Sequence, residues 1–381
     1  MDSDALPMLK PTYPLFGTAV LVQIGGHGQV TEIEDPSGQI RRLLELLDGS
    51  RTVQQVWTAL RQDYPLSSVE DVQAAIRQLD EAGFLLDGSH TPAGILDDYE
   101  LSRWARNINF FGSYSSMRQN KYELQGRLRD ARITLLGLGG LGSHLLLDMA
   151  AMGVGHVRAI EFDRVEISNL NRQILYRDGD IGQEKLRLAT ERVRDFNPRI
   201  EIEPVSMRIG SAEDVASVAD GADLLICVAD RPKMEIMHWV NAGCVQAGVP
   251  FLNGGLDTQR AIYYTVIPGT TGCVECWRLG VFNSDPTSAA LLQQKRDLQI
   301  GGNNAAFTPL VTMTTGFMLG ELTRLITGIA PPVAAGRLMQ LRFYDYEVSE
   351  AERWDRLPEC TVCGQRDDAL NGQPLVGATA S

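Results

Sequence analysis

Apolar positions along the chain change their period twice. Residues 18–24 and 30–33 alternate apolar and polar side chains on either side of Gly25 and Gly26, the period-2 signature of a β-hairpin. The spacing then lengthens to three or four residues. Ile40, Leu43, Leu44 and Leu47 form one set, Val53, Val56, Trp57 and Leu60 a second, and Val69, Val72, Ile76 and Leu79 a third, predicting three short amphipathic helices. Thr52 with Gln55, and Ser68 with Asp71, stand where N-caps belong, and Gly49 and Gly83 stand where helices stop. A winged-helix-like α+β module over residues 1–87 is the expected first domain. Residues 88–100, GSHTPAGILDDYE, carry turn formers and acids with little periodicity and are expected to be a linker. From residue 101 to 381, strand-length and helix-length patterns alternate, which predicts a Rossmann-like α/β domain with a mostly parallel sheet.

Bulk properties narrow the function classes. The chain has 381 residues and a formal net charge of -13, so nucleic acid is excluded as the expected partner, because its binding is driven by basic patches that release counterions. A winged-helix-like module can grip DNA or peptide; Glu45, Asp63, Glu70, Asp71, Asp80 and Glu81 on its helices favour peptide. The opening MDSDALPMLK lacks the basic start and apolar run of a secretory signal, which gives a cytoplasmic expectation. The most apolar late stretch, residues 307–329, includes Pro309, Glu321 and Arg324 and is expected to be a buried helix, with no membrane span.

Candidate chemistry begins at an apolar run, residues 133–136, that leads into Gly137, Gly139 and Gly142 and then an apolar helical segment. This is GxGxxG in a strand-turn-helix context, where glycines let backbone amides approach phosphate or ribose. Asp163, closing the next predicted strand, is placed to hold ribose hydroxyls. The segment SNLNRQILY supplies Asn169, Arg172 and Gln173, with Lys185 following and Asp230 closing a later strand. Hydride transfer has no need of two cations and a carboxylate there. Phosphoryl chemistry needs cations on the phosphates and a carboxylate for magnesium, so ATP is preferred over NAD.

Cys273 with Cys276, and Cys360 with Cys363, form two CxxC pairs whose spacing suits a closed four-thiolate zinc site that pins the C-terminal segment to the sheet. Cys227 lies in an apolar strand pattern and Cys244 in a helical one, so both are expected to be packing residues. Residues 277–304 contain no cysteine and form either a crossover segment that closes on substrate or a surface insertion.

Taken together, GLGGLGSH, DRVEISNLNRQ, IGQEK and CVAD resemble, in order and spacing, the motifs of the ThiF/MoeB/HesA superfamily related to ubiquitin-activating enzymes. Within it the chain is most similar to microcin C-type and pantocin-type peptide-modifying adenylating enzymes, and LLDGSRTVQQVWTAL with VQAAIRQLDEAGFLLD resembles a PqqD-like leader-recognition domain. The resemblance implies ATP-dependent adenylation of a carboxylate on a ribosomally made precursor peptide, with the leader added to the edge of the small sheet. It places Gly137, Gly139 and Gly142 against the nucleotide, Asp163 on the ribose, Arg172 and Lys185 on the phosphates, and Asp230 on magnesium. It also implies a homodimer in which one arginine of RWARN, Arg103 or Arg106, reaches the partner's site, with Arg106 the choice. Two other functions are consistent with the resemblance: a sulfur-carrier adenylyltransferase, and a non-catalytic subunit that presents the precursor to an azole-forming complex. Lack of a cysteine in residues 277–304 departs from the thioester and sulfur-carrier branches.

Overall fold

The computed structural model describes residues 4–26, 29–233, 235–256, 259–284 and 306–364, with 287, 290, 291 and 294 between them. It divides into two compact units, Met1–Arg127 and Leu128–Ser381.

The first unit contains β1 (Pro7–Leu9), β2 (Leu15–Gly17), β3 (Leu21–Gly26), β4 (Gln29–Glu34), α1 (Gln39–Leu46), α2 (Val53–Asp63), α3 (Val69–Glu81), β5 (Leu85–Asp87), α4 (Asp98–Arg103) and α5 (Ala105–Tyr114). The expected hairpin is β3 with β4, paired antiparallel with Val22 opposite Ile33, and β2 extends it to three strands. Both N-caps form as the sequence predicts. Thr52 and Gln55 make a reciprocal capping box, and the Ser68 hydroxyl accepts from the Asp71 amide. The predicted apolar faces converge on one core, in which Ile24, Leu47, Val56, Leu60, Ile76 and Leu85 are at most 2% exposed. Each such side chain contributes on the order of 1.5–3 kcal/mol by leaving water.

The segment expected as a linker is structured at its end. Asp97 and Glu100, read from sequence as linker acids, form a capping box that starts α4. The chain then packs back onto the small module. The Lys10 ammonium donates to the Ser113 carbonyl (2.8 Å), and the Met117 amide donates to Asp80 (2.9 Å). These contacts join residues 113–117 to the first unit, whose compact part runs to 127, within α6 (Lys121–Asp130).

The second unit runs β6 (Arg132–Leu136), α7 (Gly140–Met152), β7 (His156–Ile160), α8 (Lys185–Phe196), β8 (Glu201–Val205), α9 (Ala212–Ala219), β9 (Leu224–Cys227), α10 (Ile236–Ala247), β10 (Phe251–Leu256), β11 (Arg260–Val266), α11 (Val274–Ser284), α12 (Thr308–Thr327), β12 (Arg337–Arg342) and β13 (Val348–Arg353). One eight-stranded sheet has the order β13-β12-β11-β10-β9-β6-β7-β8. Strands β8, β7, β6, β9 and β10 are parallel, and β11, β12 and β13 continue the sheet antiparallel. From β6 the chain winds to β7 on one side and later returns to β9 on the other, so the carboxyl ends of β6 and β9 border a topological switch point, where open α/β sheets place ligands. The buried α12 occupies the apolar stretch expected to be a core helix. No helix among the described residues is long and apolar enough to cross a membrane.

Candidate active site and metal centre

At the switch point, β6 ends in the glycine turn and α7 begins with no side-chain cap, leaving its first amides open. Each glycine has its own constraint. Gly137 has φ 96°, and a Cβ there would sit 3.2 Å from the Ala229 nitrogen on the neighbouring strand end. A Cβ on Gly142 would lie 1.9 Å from the Gly137 carbonyl oxygen, which no side chain tolerates. Gly139 and Gly140 face the loop after β7. A Cβ on Gly140 would meet the Arg172 side chain at 3.3 Å, and one on Gly139 the Gln173 amide nitrogen at 3.8 Å. The turn is thus a backbone-lined cradle walled by Arg172 and Gln173 on one side and by the strand end before Asp230 on the other.

The wall residues are fixed by their own loop. The Asn169 side chain accepts from the Glu166 amide (3.1 Å), and the Asn169 carbonyl accepts from the Arg172 and Gln173 amides (3.1 and 3.0 Å). The Arg172 guanidinium donates to the Ser168 carbonyl and the Asn171 side chain (3.0 and 2.8 Å), while its carbonyl contacts His144 Nε2 of α7 at 3.2 Å. Asp180, held below its ordinary carboxylate pKa chiefly by its bond to Arg192, braces the far end of that loop. Gln173 is 3% exposed, and its buried amide oxygen has no hydrogen-bond partner among the described residues. An orphaned acceptor beside a glycine cradle fits a ligand that carries hydroxyl or amino donors.

Lys185, at the start of α8, is 5% exposed, and its Nζ lies 3.6 Å from the half-exposed Asp163 carboxylate. The Lys185 amide also donates to the Asp163 carbonyl (3.1 Å), so the two residues are held as one pair. Asp230 is exposed and makes no hydrogen bond or ion pair among the described residues. Arg106 is exposed on α5 of the first unit, and Arg103 of α4 donates to the Tyr99 hydroxyl (3.1 Å). Residues that sequence reasoning passed over are Glu161, whose carboxylate accepts from the Leu138, Phe162 and Asp163 amides, and Tyr176, whose hydroxyl donates to the Leu138 carbonyl. A charged residue interrupting an apolar strand end, as Glu161 follows Ile160, was the available signal for the first. Tyr176 had none. Most of the 277–304 segment lies outside the described residues.

A second cluster is closed where the first is open. The sulfurs of Cys273, Cys276, Cys360 and Cys363 all lie within 4.8 Å of one another and are buried. Separations of 3.9 Å for Cys273–Cys276, 3.6 Å for Cys273–Cys360 and 3.3 Å for Cys276–Cys363 are close to the roughly 3.8 Å edge that a tetrahedron of 2.3 Å zinc–sulfur bonds requires. The Leu357 amide donates to the Cys276 sulfur at 3.4 Å, a thiolate-supporting contact. The donor set fits zinc. Cys227 and Cys244 are wholly buried. Burial pushes the Cys227 thiol up to about 12 and raises Cys244 as well, which suits packing and not nucleophilic use.

The glycine turn at the switch point, with cations on the adjoining loops, defines a nucleotide-binding α/β fold. The chain belongs to the ThiF family, whose model matches residues 106–362. It is 28% identical over 272 residues to the molybdopterin-synthase adenylyltransferase of Escherichia coli (strain K12), covering 71% of this chain and 99% of the relative. It is 30% identical over 251 residues to a sulfur carrier protein adenylyltransferase of Thermus thermophilus, covering 64% and 85% respectively. Its fold is similar to that of E. coli MccB, solved with ATP and, separately, with AMPCPP and selenomethionine MccA. The TM-score is 0.74 and the identity 22% in both cases, with 94% of this chain and 99% of that one covered. Family and relatives together support an ATP-dependent adenylating enzyme.

Proposed function

We propose that this protein adenylates a carboxylate on a ribosomally made precursor peptide whose leader is held by the first unit. The observation that carries the reading is the meeting of the glycine cradle with Arg172, the Asp163–Lys185 pair and the strand end before Asp230. In this reading Gly137, Gly139 and Gly142 cradle the adenosine, Asp163 holds the ribose, Asn169 and Gln173 line the nucleotide, and Arg172 and Lys185 neutralise the phosphates. The peptide carboxylate oxygen attacks the α-phosphorus in line, the bond from that phosphorus to the bridging oxygen breaks, and pyrophosphate leaves with the electron pair. Catalysis is then positioning and charge neutralisation, with no covalent step on the protein. Magnesium held at Asp230 would neutralise charge on the leaving group. Arg106 would reach the partner's site in a homodimer. Zinc in the four-cysteine cluster would tie the C-terminal segment to the sheet.

Two features support a peptide over a sulfur carrier. The adenylyltransferase relatives align in sequence with 64–71% of this chain, whereas MccB, described as a microcin C7 biosynthetic enzyme in complex with N-formylated MccA, is similar in fold over 94% of it. Cys227 and Cys244, the only cysteines outside the cluster, are buried, which is unsuited to thioester chemistry. The sulfur-carrier reading retains the support of the relatives' names. To test both, the protein is incubated with ATP, magnesium and either the short peptide encoded beside its gene or a carrier protein ending in Gly-Gly. Pyrophosphate release and product mass are followed. Turnover with the peptide alone is expected; turnover with the carrier alone favours the rival, and none with either favours a presenting subunit.

A further inference from the structure

We propose that Glu161 is a positioning residue that sets the glycine turn and Asp163 at a fixed separation for the adenosine half of the nucleotide, an inference that rests on the turn being the ATP site. Glu161 follows β7 and is 6% exposed. One of its carboxylate oxygens accepts from the Leu138 amide in the middle of the turn (2.8 Å). The other accepts from the amides of Phe162 and Asp163 (2.8 and 2.9 Å). One side chain therefore spans two strand ends, β6 and β7, that have no other side-chain link at this level among the described residues. The Leu138 peptide is gripped from its other side as well, because the Tyr176 hydroxyl donates to its carbonyl at 2.9 Å. Burial and, next, the Glu161 charge raise the Tyr176 pKa, so that hydroxyl stays a donor.

Glu161 has no ion-pair partner among the described residues, so the three amide donors carry the compensation for its buried charge. An ionised carboxylate is the acceptor this geometry requires, since both oxygens must accept and neither may donate. A carboxamide of the same shape must turn its NH2 either toward the Leu138 amide, releasing the turn, or toward the Phe162 and Asp163 amides, releasing Asp163. Both rotamers disturb the adenosine side. Arg172, held by Ser168 and Asn171, is untouched by either, so its contact to the phosphates should survive even where release of Asp163 loosens its pair with Lys185.

The test compares dissociation constants of ATP, adenosine and pyrophosphate for the full chain and its Glu161→Gln variant by calorimetry, with thermal midpoints measured without ligand. ATP and adenosine are expected to weaken in parallel by roughly tenfold or more, because the carboxamide sets a donor against a backbone donor. Pyrophosphate affinity should fall least, because Arg172 is unaffected. Unchanged ATP and adenosine affinities, or an equal loss for all three ligands, would overturn the assignment. If the wild-type chain binds no ATP, the site reading fails first and this inference with it. Should Glu161→Gln not fold, Tyr176→Phe, which lets go of the same peptide from its other side, carries the comparison with a smaller loss expected.

Discussion

The glycine turn and the four-cysteine cluster lie in the same unit and have opposite designs. The cluster is closed, with four buried sulfurs facing one another and a backbone amide on one of them. The turn is open: among the described residues its helix amides have no side-chain cap, the buried Gln173 oxygen has no partner and the exposed Asp230 makes no hydrogen bond. Groups left unsatisfied in a folded protein cost stability. An open cradle suits a ligand that comes and goes, and a closed shell of four sulfurs suits a metal held permanently.

The strongest way to break that contrast is at the cluster. Replacing Cys360 and Cys363 together by serine is expected to abolish stoichiometric zinc and to destabilise the second unit by several kcal/mol, because metal binding free energy appears as folding free energy. Metal analysis with chemical denaturation checks this; an unchanged midpoint would make the cluster dispensable. At the turn the pattern should reverse. Arg172→Ala is expected to lower pyrophosphate exchange by about 10²–10³-fold, the usual cost of removing one charge-stabilising donor, while the unfolding midpoint stays within roughly 0.5 kcal/mol.

A smaller effect is expected at Asp180, which braces the loop carrying Arg172. Its native pKa lies below 3.8, so the stability from its bond to Arg192 is complete above that value and fades as pH falls through the depressed one. Asp180→Asn should cost about 1–3 kcal/mol at pH 7, and the difference from wild type should shrink under strong acid, as read by denaturation at both pH values. The smallest effect is expected at Cys227→Ala, with about 1 kcal/mol of lost packing and no change in adenylation. Lost adenylation there would revive a covalent route through sulfur.

Much of this was legible in the sequence where local physics decides. The caps at Thr52 and Ser68, the glycine turn before α7 and the two CxxC pairs are short-range signals, and each stands where its spacing put it. The segment after the small module was harder to read, because Asp97 and Glu100 look like linker acids until their reciprocal bonds are seen, and because Lys10–Ser113 and Asp80–Met117 contacts join residues far apart in sequence. Tyr176 was invisible for the same reason. Its hydroxyl acts on a residue 38 positions away, and no periodicity records that.

The most direct measurement is a crystal structure with magnesium and a non-hydrolysable ATP analogue. The account predicts adenosine over Gly137, Gly139 and Gly142, ribose hydroxyls on Asp163, and phosphate oxygens within about 3 Å of the Arg172 and Lys185 nitrogens. Nucleotide density elsewhere, or phosphates turned away from both cations, would contradict it.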